Sequence, residues 1–279
     1  MSDRLMSTGD VAEVLGVSEA TVKRWADAGT LSCIRTPGGH RKFRLRDIAM
    51  HLASRRSSAD HSEAATEGDQ DIEELVSALL VGDAERVMGV IAAVRLQRVS
   101  IATIVDTMLR PAFERVKQAC GSGRCEAFHL HIAINSLIEV AARQRPTLRV
   151  PGSSRGRVIS APLPGEPYDV LARYASLVAV ESGFDAHVLG AGLPPASVSR
   201  AAEDLGASWI LLVGDAHNHL NFSDYAEKIL SGTSRSHARI VFISATATPI
   251  TGLPEDVLTV ANLREAESLL APMALRMAR

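Results

Sequence analysis

The sequence predicts a multidomain chain of the α and α/β classes: a small basic module of two helices and a hairpin, then a four-helix bundle, then an open α/β domain built on a parallel sheet. Three features lead there. Positive charge is concentrated in the first 56 residues, apolar residues recur at helical spacing between residues 72 and 145, and after Pro151 short apolar runs alternate with helix-like segments. A length of 279 residues exceeds what one ordinary core organises and suits two or three domains of about 100 residues. With 46% hydrophobic and 22% charged residues, the chain can bury real cores, which excludes wholesale disorder and fibrous classes.

Residues 1–56 hold ten Lys or Arg against six acids, a net of +4, so the remainder carries −6 of the chain's net −2. A basic module on an acidic body is the charge pattern of a nucleic-acid reader tethered to a domain that does not bind nucleic acid. Within it, residues 7–28 read as helix, turn, helix. Ser7 and Asp10 form a capping box, Val11, Val14 and Leu15 supply an apolar face, and Gly16 ends the first helix. Ser18 caps the second, whose apolar face is Ala20, Val22, Trp25 and Ala26, leaving Glu19, Thr21, Lys23 and Arg24 for the other side. Hydroxyls and cations near the start of such a helix suit a major groove. Cys33, Ile34 and Arg35 then form a strand, Pro37, Gly38 and Gly39 a tight turn, and Arg41 to Arg44 the return strand. This hairpin carries Arg35, Thr36, His40, Arg41, Lys42 and Arg44 against phosphates or into a minor groove, with a strong salt dependence to follow. Trp25 and Phe43 are expected in the core.

The expected domain boundaries are 1–56 for the reader, 57–71 for a flexible, small, acidic linker, 72–150 for the bundle and 151–279 for the α/β domain. Helix breaks are expected near Gly82 and Asp83, near Val99 and Ser100, and at residues 120–125, with Pro111 kinking the third helix. The strands are expected at 157–163, 185–190, 208–214, 239–244 and 257–262. They are apolar on both faces, as strands covered by helices on each side must be, and such sheets bind ligands at their carboxyl ends.

The segment from Thr8 to Arg44 resembles the winged helix-turn-helix of the MerR superfamily, particularly its BldC-like and CarH/LitR-like members, whose recognition helix and Gly-Gly-His-Arg wing it matches over about 45 residues. Bundle and α/β domain together are similar in layout to the CarH/LitR photoreceptor repressors. The resemblance implies double-stranded promoter DNA as partner, a homodimer or homotetramer, and a flavodoxin-like domain that sandwiches cobalamin against the bundle. It also implies residues for the cofactor: a Glu/Asp-x-His-x-x-Gly loop after the first strand and a Trp-x9-Glu-His motif in the bundle. Here the loop keeps Glu166, but Tyr168 stands for the histidine and Leu171 for the glycine. Anchoring the bundle motif on His131 places Cys120 at the Trp, Leu130 at the Glu and Gly121 at the upper histidine, so one position of four is kept. The loops at Gly214 to His217 and Ser244 to Ala247 also diverge from the family's nucleotide-lining segments.

A phenol with a pKa near 10 is a poor neutral ligand for cobalt. The cofactor is therefore left unknown: cobalamin stays an open but disfavoured candidate, and Glu166, Tyr168, Cys120, His131 and Ser244 mark a degenerate cleft awaiting a small ligand or a protein partner. The light-driven disassembly of the family's dark tetramer is expected to be absent or altered. Two alternatives remain: a light-responsive repressor that keeps cobalamin, and a thiol or metal sensor using Cys120 and Cys125, in which Cys125 and His129 share a helix face at i, i+4. No Ser-His-Asp elbow, Walker loop, kinase motif or full dinucleotide fingerprint is present, so an enzyme is not expected. No apolar run reaches the roughly 20 residues of a membrane span, and the first ten residues lack the basic start and apolar stretch of a secretory signal, which points to the cytoplasm.

Overall fold

The computed structural model describes residues 5–15, 19–27, 31–36, 38–44, 67–148, 154–214, 222–233, 237–244 and 253–271. The chain divides into two compact units, one of Met1–Ser100 with Thr107–Thr147, the other of Ile101–Asp106 with Leu148–Arg279.

In the first unit the reader consists of β1 (Leu5–Ser7), α1 (Thr8–Leu15), α2 (Glu19–Asp27), β2 (Ile34–Arg35) and β3 (Arg41–Arg44). The three strands form an antiparallel sheet in the order β1-β3-β2. The capping box forms as the spacing predicts: Ser7 N donates to Asp10 Oδ2 at 2.7 Å and Asp10 N to Ser7 Oγ at 3.2 Å. Strand β1, with Leu5 opposite Arg44 and Ser7 opposite Lys42, has no counterpart in the sequence reading, because three residues are too few to show a period. Val11, Val22, Leu31 and Phe43 are fully buried, and Ala92, Ala93 and Leu96 complete their cluster. Ala20, expected on this apolar face, is instead exposed. The reader is thus no independent tethered module: its core is closed by a helix lying some fifty residues further along the chain.

That helix is α4 (Ala84–Arg95), which follows α3 (Glu67–Val81). Gly82, at φ +77°, makes the turn, and a Cβ there would stand 2.9 Å from Ile132 Cγ2. Asp83 caps α4 by accepting from Arg86 N at 2.9 Å. Helix α3 begins at Glu67, inside the expected linker. Arg115 pairs there with Glu73 and, at 3.3 Å, with Asp69, so that one acid read as solvated linker stands in a helix turn beside its neighbour. The third helix starts as α5 (Ile101–Ile104), passes through a π-helical turn at Val105–Leu109 and continues as α6 (Arg110–Gly121). Pro111 has no N–H for the ladder, and the chain widens one turn before it in place of a simple kink. Helix α7 (Ala127–Leu148) closes the set.

The second unit alternates β4 (Arg157–Pro162), α8 (Val170–Glu181), β5 (Asp185–Val188), α9 (Pro195–Leu205), β6 (Ala207–Gly214), α10 (Phe222–Gly232), β7 (Arg239–Ser244), β8 (Val257–Val260) and α11 (Leu263–Leu270). The strands pair in parallel in the order β5-β4-β6-β7-β8, the flavodoxin-like arrangement, with its switch point between β4 and β6. One face packs Ile159, Ile210, Leu212, Ile240 and Phe242 against Val198, Ala202, Phe222, Ala226 and Ile229 of α9 and α10. Helix α8 packs on β4, β5 and β6 and also meets α11. Tyr174 of α8 is buried, which pushes its phenol far above the ordinary range. Among the described residues no helix is long and apolar enough to cross a membrane.

Candidate nucleic-acid interface

Helix α2 and the β2-β3 hairpin stand together because Val22 of one and Phe43 of the other share a core. The hairpin tip is closed by Thr36: its N–H donates to His40 O at 2.9 Å, its carbonyl accepts from Gly39 N at 2.8 Å, and its hydroxyl accepts from His40 N at 3.2 Å. Gly39 sits at φ +81°, a left-handed conformation that suits glycine. Thr36 therefore builds the turn. A cavity of about 610 Å³ opens between this tip, α2 and the start of α1, lined by Ser7, Thr8, Gly9, Glu19, Lys23, Thr36, Gly39, His40, Arg41 and Lys42.

Five of the residues selected from the sequence, Lys23, Thr36, His40, Arg41 and Lys42, meet around this one groove. Lys23 is tied to Glu19 at 3.2 Å, an exposed i, i+4 pair that phosphate can displace. Arg24 is exposed on α2, and no ion pair holds it among the described residues. Arg35 and Arg41 both reach Asp27, the last residue of α2, at 3.3 and 2.5 Å. Arg44 is half-buried in β3 opposite Leu5. Ser18 and the side chain of Thr21 lie outside the described residues, as does the side chain of Trp25. The sequence reading missed Ser7, Thr8 and Gly9 as groove residues and Asp27 as a hub; the capping box was the signal for the former, and nothing local announces the latter.

Residues 5–56 match the helix-turn-helix domain family. A helix-turn-helix with a cationic groove between its second helix and its wing is the equipment of a DNA-binding module. No curated protein matches the chain. Among solved structures the chain is similar to the monomethylamine corrinoid protein of Methanosarcina barkeri, with a TM-score of 0.54 at 17% identity over 75% of this chain and 99% of that one. It also matches a cobalamin-binding protein from Desulfitobacterium hafniense DCB-2, with a TM-score of 0.35 at 15% identity over 71% of this chain and 96% of that one. A third match is the methanol:cobalamin methyltransferase complex MtaBC from Methanosarcina barkeri, with a TM-score of 0.35 at 12% identity over 90% of each chain. The first of these likenesses bears on the fold alone, and agrees with the helices and the five-stranded parallel sheet described above.

Of the residues chosen for the degenerate cleft, Cys120 and His131 belong to the first unit and Glu166, Tyr168 and Ser244 to the second. Glu166 follows β4 and lies over the end of β6, where a Cβ on Gly214 would come within 2.5 Å of its Cγ. Ser244 ends β7 directly opposite Gly214. These three therefore meet at the carboxyl edge of the sheet, while Tyr168 is half-buried just before α8. Residues 215–217 and 245–247 lie outside the described residues. The donor set of the loop, two carboxylates (Glu166 and Asp169, the latter paired with Arg173 at 2.7 Å) and a phenol with no imidazole between Leu163 and Val170, does not fit cobalt ligation from that side.

Cys120 and Cys125 form a disulfide, joining the end of α6 to the approach of α7. This commits Cys125 and leaves the Cys125/His129 metal pair unassembled; His129 Nδ1 instead stands 3.2 Å from both the N and the O of Glu126. Among the described residues no group of three or more His, Cys, Asp or Glu is placed to hold a metal ion. For a sequence separation of 5, chain-entropy reasoning assigns the bridge about 2 kcal/mol. Replacing both cysteines by serine is expected to lower the urea stability of the first unit by that amount, and tris(2-carboxyethyl)phosphine should do the same to the unsubstituted protein but not to the variant.

Proposed function

We propose that this chain is a DNA-binding transcription regulator of the MerR superfamily, nearest in plan to the CarH/LitR type, acting as a repressor on promoter DNA. The observation that carries the reading is the groove in which Lys23, His40, Arg41 and Lys42 converge beside exposed Arg24. One such module offers few contacts, so the body assembles the chain into a dimer or tetramer that reads repeated half-sites. The body works in the cytoplasm without catalysing a reaction. It carries the corrinoid-protein fold without a histidine after its first strand, and takes another small ligand or a protein partner in place of ligated cobalt. A second reading, thiol sensing, is favoured by the Cys120–Cys125 disulfide, whose making and breaking would tune the first unit.

Fluorescence anisotropy with the full chain and duplexes drawn from a random-sequence pool tests the DNA reading. Arg24→Ala is expected to weaken binding by about tenfold, and wild-type affinity should fall steeply between low and physiological salt. Equal affinity of wild type, Arg24→Ala and Lys42→Ala would end it.

A further inference from the structure

We propose that Asp27 is the positioning residue that sets the angle between recognition helix and wing, and that Arg41, and with it Arg35, serves this brace before it serves DNA. The proposal rests on the DNA-binding reading above. An acid as the last residue of α2 is out of place on charge grounds. It sits at the negative end of the helix dipole and subtracts from the positive field of a module built to meet phosphates.

The geometry supplies its reason. One oxygen, Asp27 Oδ1, accepts from Nη2 of both Arg35 and Arg41. These two arginines are register partners across the hairpin, one on β2 and one on β3, immediately below the turn that Thr36 closes. A single carboxylate therefore fastens both strands of the wing to the end of the helix whose other end, at Glu19 and Lys23, lines the groove with the wing tip.

Arg41 is shaped for this task. It lies two residues from Phe43 on β3, so both side chains leave the same face of the strand, the face that is buried at Phe43. Its side chain is 20% exposed against 64% for Arg35. Its Nε is buried with no hydrogen-bond partner among the described residues. A guanidinium that leaves one N–H unsatisfied in order to reach a carboxylate is held by that carboxylate, since a donor bound for phosphate would stay in water.

Two accounts of Asp27 differ in sign. Were it an incidental surface acid, Asp27→Asn would remove one negative charge, free two arginines and tighten binding to every duplex with a steeper salt dependence. As a brace, its loss lets the wing swing. Discrimination then falls while non-specific attraction stays or grows, because backbone attraction needs charge and base reading needs register.

The experiment uses the full chain, a duplex that the wild type selects from a random-sequence pool, and a scrambled duplex of equal length, each titrated over a range of salt. Asp27→Asn is expected to lose about tenfold on the selected duplex and nothing on the scrambled one, with Asp27→Glu recovering most of the loss. Arg41→Lys, which keeps the charge but not the planar fork, should lower the ratio likewise, and it decides the matter if a thermal melt shows Asp27→Asn unfolded. An unchanged or improved ratio in a folded Asp27→Asn, or in Arg41→Lys where that variant decides, overturns the proposal. A wild type that selects no duplex defeats the DNA reading itself, a different and recognisable failure.

Discussion

Replacing Phe43 by alanine is expected to lower the stability of the first unit by about 3–5 kcal/mol, measured by urea unfolding. Phe43 is fully buried on β3, among Val11 and Val22 of the two reader helices and Leu31. A domain of this size has few large side chains to spare, so the cavity left behind has little chance to collapse. Because Ala92 and Ala93 of α4 belong to the same cluster, the loss should spread beyond the reader. Reader and bundle should unfold in one transition in the wild type, and the variant should shift that transition as a whole. A loss under about 1 kcal/mol, or two separate transitions in the wild type, would show that the shared core does not bind them.

The second large effect is expected at Asp106, whose side chain is 3% exposed. Its two oxygens accept the backbone N–H groups of Leu263 at 3.2 Å and Arg264 at 2.9 Å, the first two residues of α11. Asn262 accepts the next, from Glu265 N at 2.9 Å. The amides that begin α11 are therefore satisfied in part by a residue 157 positions away in the chain. Asp106→Ala removes a charged acceptor from two amides held close to it, and should cost the second unit about 3 kcal/mol. Asp106→Asn, which keeps one oxygen, should cost less. Equal stability of the alanine variant and the wild type in guanidinium unfolding would contradict this account of how α11 is held.

Much of the architecture was legible because its signals are local. Residues 158–163 and 208–214 are mostly apolar on both faces since helices cover both sides of the sheet. Ser7 and Asp10 announce a helix start through bonds spanning three residues. What escaped the reading depends on distant partners. Strand β1 exists because β3 offers it a ladder. The turn at Glu67 to Asp71 is helical where Arg115 stands beside it. Arg41 and Arg35 read as phosphate contacts by their type and place on a wing, and only the fold brings Asp27 between them.

The sequence by itself determined the alternation of strands and helices after Pro151, the parallel character of the sheet, the basic reader at the front and the lack of a histidine in the loop after β4. Those follow from periodicity, charge and residue identity, which the chain carries without folding. Tertiary structure decided what each charged or capping group faces: that α4 closes the reader's core, that Asp106 caps α11, and that Asp27 grips both strands of the wing. An ion pair or a cap acts over a few ångströms in space, and separation along the chain says little about distance once the chain has folded.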